Sequence, residues 1–160
     1  MKQKNFEETK KFKKGKIGED IVRGILQSKG WVTYSPDISG PHYFDILAIK
    51  DKEKVIAIDV KTKARFNNYP AQGIDLRHYE EYLRFINTCS IPFYLIFVDD
   101  KNGDIHVAKL DDLKDPFYPA KHIIAWGLYQ MKKIATIQDV KFFEEMAKLD
   151  ERSYKYNPRN

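Results

Sequence analysis

The sequence predicts one α/β domain in which helices flank a mixed β-sheet. Three observations carry that expectation. Two short Ile- and Val-rich runs, Phe44–Ile49 and Val55–Lys61, flank the polar stretch Asp51–Lys54 and read as an antiparallel hairpin. An amphipathic helix precedes them, and a second follows from Asp75. Two more strands, Pro92–Val98 and Ile105–Leu110, then flank an Asn-Gly turn. With a strand at Trp31–Ser35, the order is helix, three strands, helix, two strands, which packs as helices around a sheet.

The hairpin organises the rest. With its turn centred near Lys52, Asp45 falls opposite Asp59, because pairing counts back equally on both sides. Lys61 lies two residues beyond Asp59 and projects from the same face. The remainder of that face is Leu47, Ile49, Val55 and Ala57, and the other face is Ile46, Ala48, Ile56, Ile58 and Val60. Both faces are apolar, so the hairpin is expected to be central and buried on both sides. Opposed carboxylates in such a pair sit about 4.5–5.5 Å apart at Cβ and repel. Buried charge needs a partner, and a divalent cation is the natural one for hard carboxylate oxygens. The alternative is that Lys61 alone neutralises one aspartate at a sheet margin.

The elements follow in order. Lys2, Lys4, Lys10, Lys11, Lys13, Lys14 and Lys16 crowd the start, opposed only by Glu7 and Glu8. Residues 1–15 read either as a basic arm that contacts phosphates or as a solvated terminus. Lys16 to Lys29 reads as a helix, with Ile17, Ile21, Val22, Ile25 and Leu26 at helical spacing and Gly30 as its C-terminal cap. Glu19 falls just outside the apolar arc and leans over it, whereas Asp20 points away. Gly18 removes a side chain beside Glu19 and opens a close approach. Pro36–His42 is a loop in which Asp37 fits a turn role.

The stretch Ala64–Ile74 has no periodicity and reads as a loop leaving the site strand, with Arg65 and Gln72 among its polar groups. Asp75 is a plausible N-cap for a helix whose stripe is Leu76, Tyr79, Leu83 and Ile86, widened by Tyr82 and Phe85. Asp111–Pro119 reads as a loop. His122–Leu128 and Lys133–Ile137 read as two short strands, with a helix through Trp126 and Tyr129 as the alternative. Asp139 caps a helix over Val140–Leu149, and 151–160 reads as a tail. No repeat or linker divides residues 16–150.

Composition narrows the class. At 160 residues the chain can bury a core. No apolar run approaches the ~20 residues that span a bilayer, and no apolar core follows the first lysines, so no signal peptide or membrane association is expected. The single cysteine, Cys89, rules out an internal disulfide and a cysteine-rich zinc site. These absences favour the cytoplasm. A net charge of +5 and a pI near 9.1 suit a polyanion such as nucleic acid. The four histidines show no ligand spacing, and no Gly-rich phosphate loop or nucleophile elbow is present.

Gly18-Glu19 on the first helix, Phe44-Asp45-Ile46-Leu47-Ala48 on one strand and Asp59-Val60-Lys61 on the next resemble the PD-(D/E)XK nuclease superfamily. Within it, the layout over residues 16–110 is similar to small Holliday-junction resolvases. The resemblance implies a restriction endonuclease-like three-layer core with a mixed central sheet. It implies that Asp45 and Asp59 hold Mg²⁺, for which Mn²⁺ can substitute, and that the Val60 carbonyl adds a ligand. Glu19 would be the further acid, holding metal directly or through water, and Lys61 would position or activate the attacking water. Phe44 stands where many relatives have proline, and Asp59 where many have glutamate.

The expected function is thus a metal-dependent DNA endonuclease, in its most specific form a homodimeric resolvase of branched DNA. Duplex DNA is the broader substrate. Candidate nucleic-acid contacts are Lys11, Lys13, Lys14 and Lys16 on the N-terminal side and Lys63, Arg65 and Gln72 beyond the site strand. The alternative from another class is a non-catalytic nucleic-acid-binding module on the same fold, and a third is a structural partner protein.

Overall fold

The hairpin predicted around Lys52 forms in the predicted register. The computed structural model describes residues 9–37 and 42–150. Its strands are β1 (Val32–Tyr34), β2 (Ile46–Lys50), β3 (Lys54–Thr62), β4 (Ala71–Asp75), β5 (Phe93–Val98), β6 (Asp104–Lys109), β7 (Phe117–Ala120), β8 (Ile123–Gly127) and β9 (Lys132–Thr136). Its helices are α1 (Lys10–Ser28), α2 (Leu76–Thr88) and α3 (Val140–Leu149). β2 and β3 pair antiparallel, with Ile46 opposite Ile58 and Lys50 opposite Lys54. Their tight turn holds Asp51 and Lys52 at φ of 54° and 64°, the left-handed conformation that matches hairpin twist.

The main sheet has six strands in the order β1-β2-β3-β5-β6-β9. β3 and β5 are parallel and the other pairs antiparallel, so the sheet is mixed. A parallel pair needs a crossover, and the segment carrying β4 and α2 supplies it. On one face, Val22 and Leu26 of α1 and Phe142 and Met146 of α3 pack on Ile46, Ala48, Ile58 and Val60. On the other, Tyr82 of α2 and Ile74, Ile124 and Trp126 pack on Ala57, Phe93, Leu95 and Phe97. Helices, sheet, and helix plus small sheet form three layers. Burial on both faces holds for the inner part of the hairpin. Ile49, near the margin formed by β1 and β2, is 36% exposed.

Several expectations are revised. α1 starts six residues early, because Thr9 caps it by accepting a hydrogen bond from the Phe12 N–H at 3.2 Å and lysine is a good helix former. Residues 10–15 of the expected arm are therefore helical, and residues 1–8 lie outside the described residues. Gly30, at φ 83°, closes α1, and the Trp31 N–H returns to the Leu26 carbonyl.

The expected loop over Ala64–Ile74 ends in a strand: β4 pairs β8, which pairs β7, in a separate three-stranded sheet. Ala-Gln-Gly-Ile-Asp has no β-pattern of its own, so the pairing partner decides its conformation. The same holds for Phe117–Ala120, of which 117–119 were expected as loop and whose Pro119 is tolerated on an edge strand. Both strands expected between 122 and 137 form, and the helical alternative does not. Asp75 occupies the cap position of α2 but makes no side-chain cap bond, whereas Asp139 caps α3 through the Lys141 N–H. The expected tail, 151–160, lies outside the described residues. No helix among the described residues is long and apolar enough to cross a membrane.

Candidate functional site

The β2–β3 register runs as far as Ile46 opposite Ile58, with Asp45 and Asp59 the next residue on either side. The Asp45 N–H donates to the Ile58 carbonyl at 2.9 Å, which holds Asp45 against β3, near enough to Asp59 and Lys61 to raise the pKa of both. Asp45 Oδ2 accepts from the Val60 N–H at 2.7 Å, and Oδ1 lies 3.0 Å from His42 Nε2. One strand thus holds the carboxylate of the other. Lys61 Nζ lies 2.7 Å from Asp59 Oδ2, with the aspartate side chain 7% exposed. The three side chains that sequence spacing predicts together lie close enough for Asp45 to act on both Asp59 and Lys61.

The electrostatics are those of a buried acid pair with one cation. Burial, and then Asp45, push the Asp59 pKa up to about 6, against the pull of Lys61. Burial works against the Lys61 charge, but Asp59 and Asp45 outweigh it and raise its pKa. The ammonium therefore stays charged at neutral pH. On α1, Glu19 pairs with Lys16 at 2.9 Å. Burial raises its pKa, and Asp45 is close enough to raise it further. Gly18 explains how α1 comes so near. A Cβ there would overlap Thr62 Oγ1 at the end of β3.

α2 adds two residues that the helical pattern hid. Tyr82 was read as widening the apolar stripe, and its ring does stack on Phe93 at 4.7 Å. Its hydroxyl also stands against Asp59 and eases the rise in that acid's pKa, and the Lys61 ammonium sits 5.8 Å from its ring centre. Burial and Asp59 raise the Tyr82 pKa far above the usual phenol range, so the hydroxyl stays a donor. His78, one turn earlier and 6.3 Å from the Tyr82 ring, has its pKa lowered by burial and by Lys61. The visible signal was the i, i+4 spacing of two polar rings, indistinguishable in sequence from an ordinary amphipathic face.

The expected nucleic-acid contacts divide. Lys11, Lys13 and Lys16 are exposed on α1, and Lys11 stands close enough to Lys63 to lower its pKa. Burial is the larger cause, with Lys61 next, and brings Lys63 to about 8. Lys14 is instead held by Asp100, which is almost fully buried. The Arg65 guanidinium pairs with Asp99 and Asp104, both at 2.8 Å. Gln72 is 1% exposed and donates to the Lys63 carbonyl at 3.3 Å, so its amide braces the strand exit from inside. These three were expected at the surface; each instead serves the fold, because acids and carbonyls distant in sequence meet them. Asp37 is exposed, and residues 38–41 after it lie outside the described residues.

Among the described residues, no group of three or more His, Cys, Asp and Glu side chains is arranged to hold a metal ion. The chemistry of the donors nevertheless fits a hard cation that keeps most of its waters: two carboxylates and a backbone carbonyl. Asp59 Oδ2 is buried, with the Lys61 ammonium 2.7 Å away as its counter-charge.

The layers, the mixed sheet and the acid–acid–lysine hairpin at its centre define a restriction endonuclease-like fold, as the sequence implied. The solved structure of Hjc, a Holliday junction resolvase from the archaeal hyperthermophile Archaeoglobus fulgidus, is similar with a TM-score of 0.57 and 15% identity, over 76% of this chain and 93% of that one. A bacterial homing endonuclease is similar with a TM-score of 0.47 and 12% identity, over 82% of this chain and 83% of that one. No protein-family model and no curated protein sequence matches the chain.

Proposed function

We propose that this protein is a metal-dependent DNA endonuclease that hydrolyses phosphodiester bonds at the Asp45–Asp59–Lys61 face. The observation that carries the reading is Asp45 clamped by the Val60 N–H beside a buried Asp59, with the Lys61 ammonium 2.7 Å from the Asp59 carboxylate. A pure structural role gives no reason to oppose two acids in a sheet interior.

Asp45, Asp59 and the Val60 carbonyl would hold Mg²⁺, or Mn²⁺ in its place, and Glu19 would hold it directly or through water. Bound there, the cation supplies Lewis-acid polarisation of the phosphoryl oxygen and a lowered pKa for water. The chain supplies the rest. The Val60 N–H and His42 fix the Asp45 carboxylate, and Tyr82 fixes Asp59. Lys61, charged at neutral pH, is suited to orient water and to stabilise charge on the phosphoryl group rather than to remove a proton. Lys11, Lys13, Lys16 and Lys63 offer cations to the DNA backbone beside the site. The likeness to a resolvase makes the four-way junction the first branched substrate to try. Resolution needs two symmetric cuts, which a two-fold homodimer would deliver.

A second reading has one observation of its own. The Lys61 ammonium already neutralises Asp59 at 2.7 Å, which suits a nucleic-acid-binding module that does not cleave. Incubation with linear duplex, single-stranded and four-way-junction DNA, in Mg²⁺, Mn²⁺ or chelator, separates the two. Metal-dependent nicking that Asp59→Ala and Lys61→Ala abolish supports the nuclease. Binding without nicking in either metal supports the module.

A further inference from the structure

Phe66, Tyr69 and Phe117 form a ring cluster beside the exit of the site strand. Phe66 and Tyr69 lie 6.5 Å apart between ring centres, Tyr69 and Phe117 5.6 Å, and Phe66 and Phe117 6.5 Å. Tyr69 is 50% exposed, and the other two rings are part-buried beneath it. The turn that carries Tyr69 is fixed. The Phe66 N–H donates to the Ala71 carbonyl, the Ala71 N–H to the Tyr69 carbonyl, and the Leu128 N–H to the Pro70 carbonyl. The ring is thus presented on a braced turn, with little ordering left to do when something stacks on it.

The position ties this cluster to the site. Phe66 follows Lys63 by three residues, so their Cα atoms are at most about 11 Å apart. Lys63 in turn sits two residues beyond Lys61. From Val60 to Ile74 the chain has no Asp or Glu, and Lys63 is its cation outside the Lys61–Asp59 and Arg65–Asp99–Asp104 ion pairs. Across the cluster, β7 is flanked by Lys114 and Lys121, with Asp115 the one acid between Lys114 and Phe117. A partner that is anionic along its length and presents flat apolar groups suits such a surface. Unpaired nucleotides have that chemistry; a blunt duplex keeps its bases stacked inside.

We propose that Phe66, Tyr69 and Phe117 are a stacking platform for the unpaired bases of a single DNA strand that passes the Asp45–Asp59–Lys61 face. The inference rests on the nuclease reading and adds to it a preference for DNA with unpaired bases beside the site. Aromatic stacking of this kind tolerates any base, because every base has a π-face.

The test is binding in chelator, so that no cleavage intervenes, measured by fluorescence anisotropy. The probes are a labelled 15-mer of thymidylate, an abasic 15-mer of equal charge, and a blunt 15-base-pair duplex. The wild type should prefer the thymidylate strand to the abasic one. Tyr69→Ala should weaken thymidylate binding at least about fivefold, leave duplex binding unchanged and erase the preference over the abasic strand. Tyr69→Phe should behave as wild type, which separates stacking from damage to the turn. Duplex binding without thymidylate binding overturns the platform and leaves the nuclease reading standing. Binding of no DNA at all overturns both. Equal weakening of all three probes by Tyr69→Ala, no change, or a changed oligomeric state in its place, also overturns the platform.

Discussion

Tyr82 of α2 stands against the Asp59 carboxylate of β3, while the Lys61 ammonium lies 5.8 Å from the centre of its ring. A helix that otherwise packs the core therefore reaches both the buried acid and its cation. Tyr82 is a positioning residue in this account: it orients Asp59 and does not touch substrate.

Tyr82→Phe keeps the ring on Phe93 and removes only the hydroxyl. Supporting partners of this kind typically contribute about 10–100-fold in metal affinity. Titration calorimetry with Mn²⁺ should show a loss in that range with a melting temperature close to wild type. Unchanged metal affinity would make the hydroxyl a core hydrogen bond and nothing more.

Glycines at two positions of α1 should respond to alanine with opposite signs. At Gly18 a Cβ would overlap Thr62 Oγ1, and overpacking of this kind costs about 1–3 kcal/mol. At Gly24 nothing lies within 4 Å, so the gain in helix propensity, roughly 0.5–1 kcal/mol, should appear unopposed. Denaturant unfolding measures both. Thr62→Ala should recover part of the Gly18→Ala loss, because it removes the oxygen in the way.

Acid should loosen the β5–β6 turn first. Burial alone would raise the Asp104 pKa, but hydrogen bonds from Lys133, Arg65 and Thr136 outweigh it and hold the value at about 2. The folded value is below the ordinary 3.8, so the stabilisation is fully present above about pH 4 and is lost as pH falls towards 2. Arg65→Ala should shift acid unfolding, followed by circular dichroism, to higher pH. It should also lower stability at pH 7 by about 2 kcal/mol, since Asp99 loses its charged partner. An effect on DNA binding alone, with stability untouched, would reverse the assignment of Arg65 to the fold.

Lys63 links pH to binding and to stability in opposite directions. Its folded pKa of about 8 lies below the ordinary 10.5, chiefly through burial and then Lys61. The folded chain thus releases this proton first. DNA affinity should fall as pH rises through 8, and the destabilisation from burying the charge should be relieved between about 8 and 10.5. Lys63→Met should flatten both profiles, read by anisotropy and by thermal melting across pH 7–10. A wild-type affinity that is flat across pH 8 would remove Lys63 from the interface.

How much was legible depends on whether a residue's partner is near in sequence. The nearness of Asp45 to Asp59 and Lys61 was legible from the turn at Lys52, since hairpin register is local arithmetic and holds as far as Ile46 and Ile58. Gly18 beside Glu19 gave a close approach without saying to what; Thr62 is far along the chain. β4 and β7 were missed because Ala71–Asp75 and Phe117–Ala120 owe their strand conformation to β8. Lys14, Arg65 and Gln72 looked like surface donors because Asp100, Asp99, Asp104 and the Lys63 carbonyl are brought to them only by the fold. Tyr82 was hidden by its own ring, which satisfies the apolar pattern while its hydroxyl serves Asp59.

The most direct test of the central claim is single-turnover cleavage of a labelled four-way junction at saturating protein, with Mg²⁺ or with chelator. Wild type should cut only with the metal, and Asp59→Asn and Lys61→Met should each bind the junction normally yet fail to cut it. Cutting that survives both substitutions, or that proceeds in chelator, would contradict the assignment of chemistry to this hairpin.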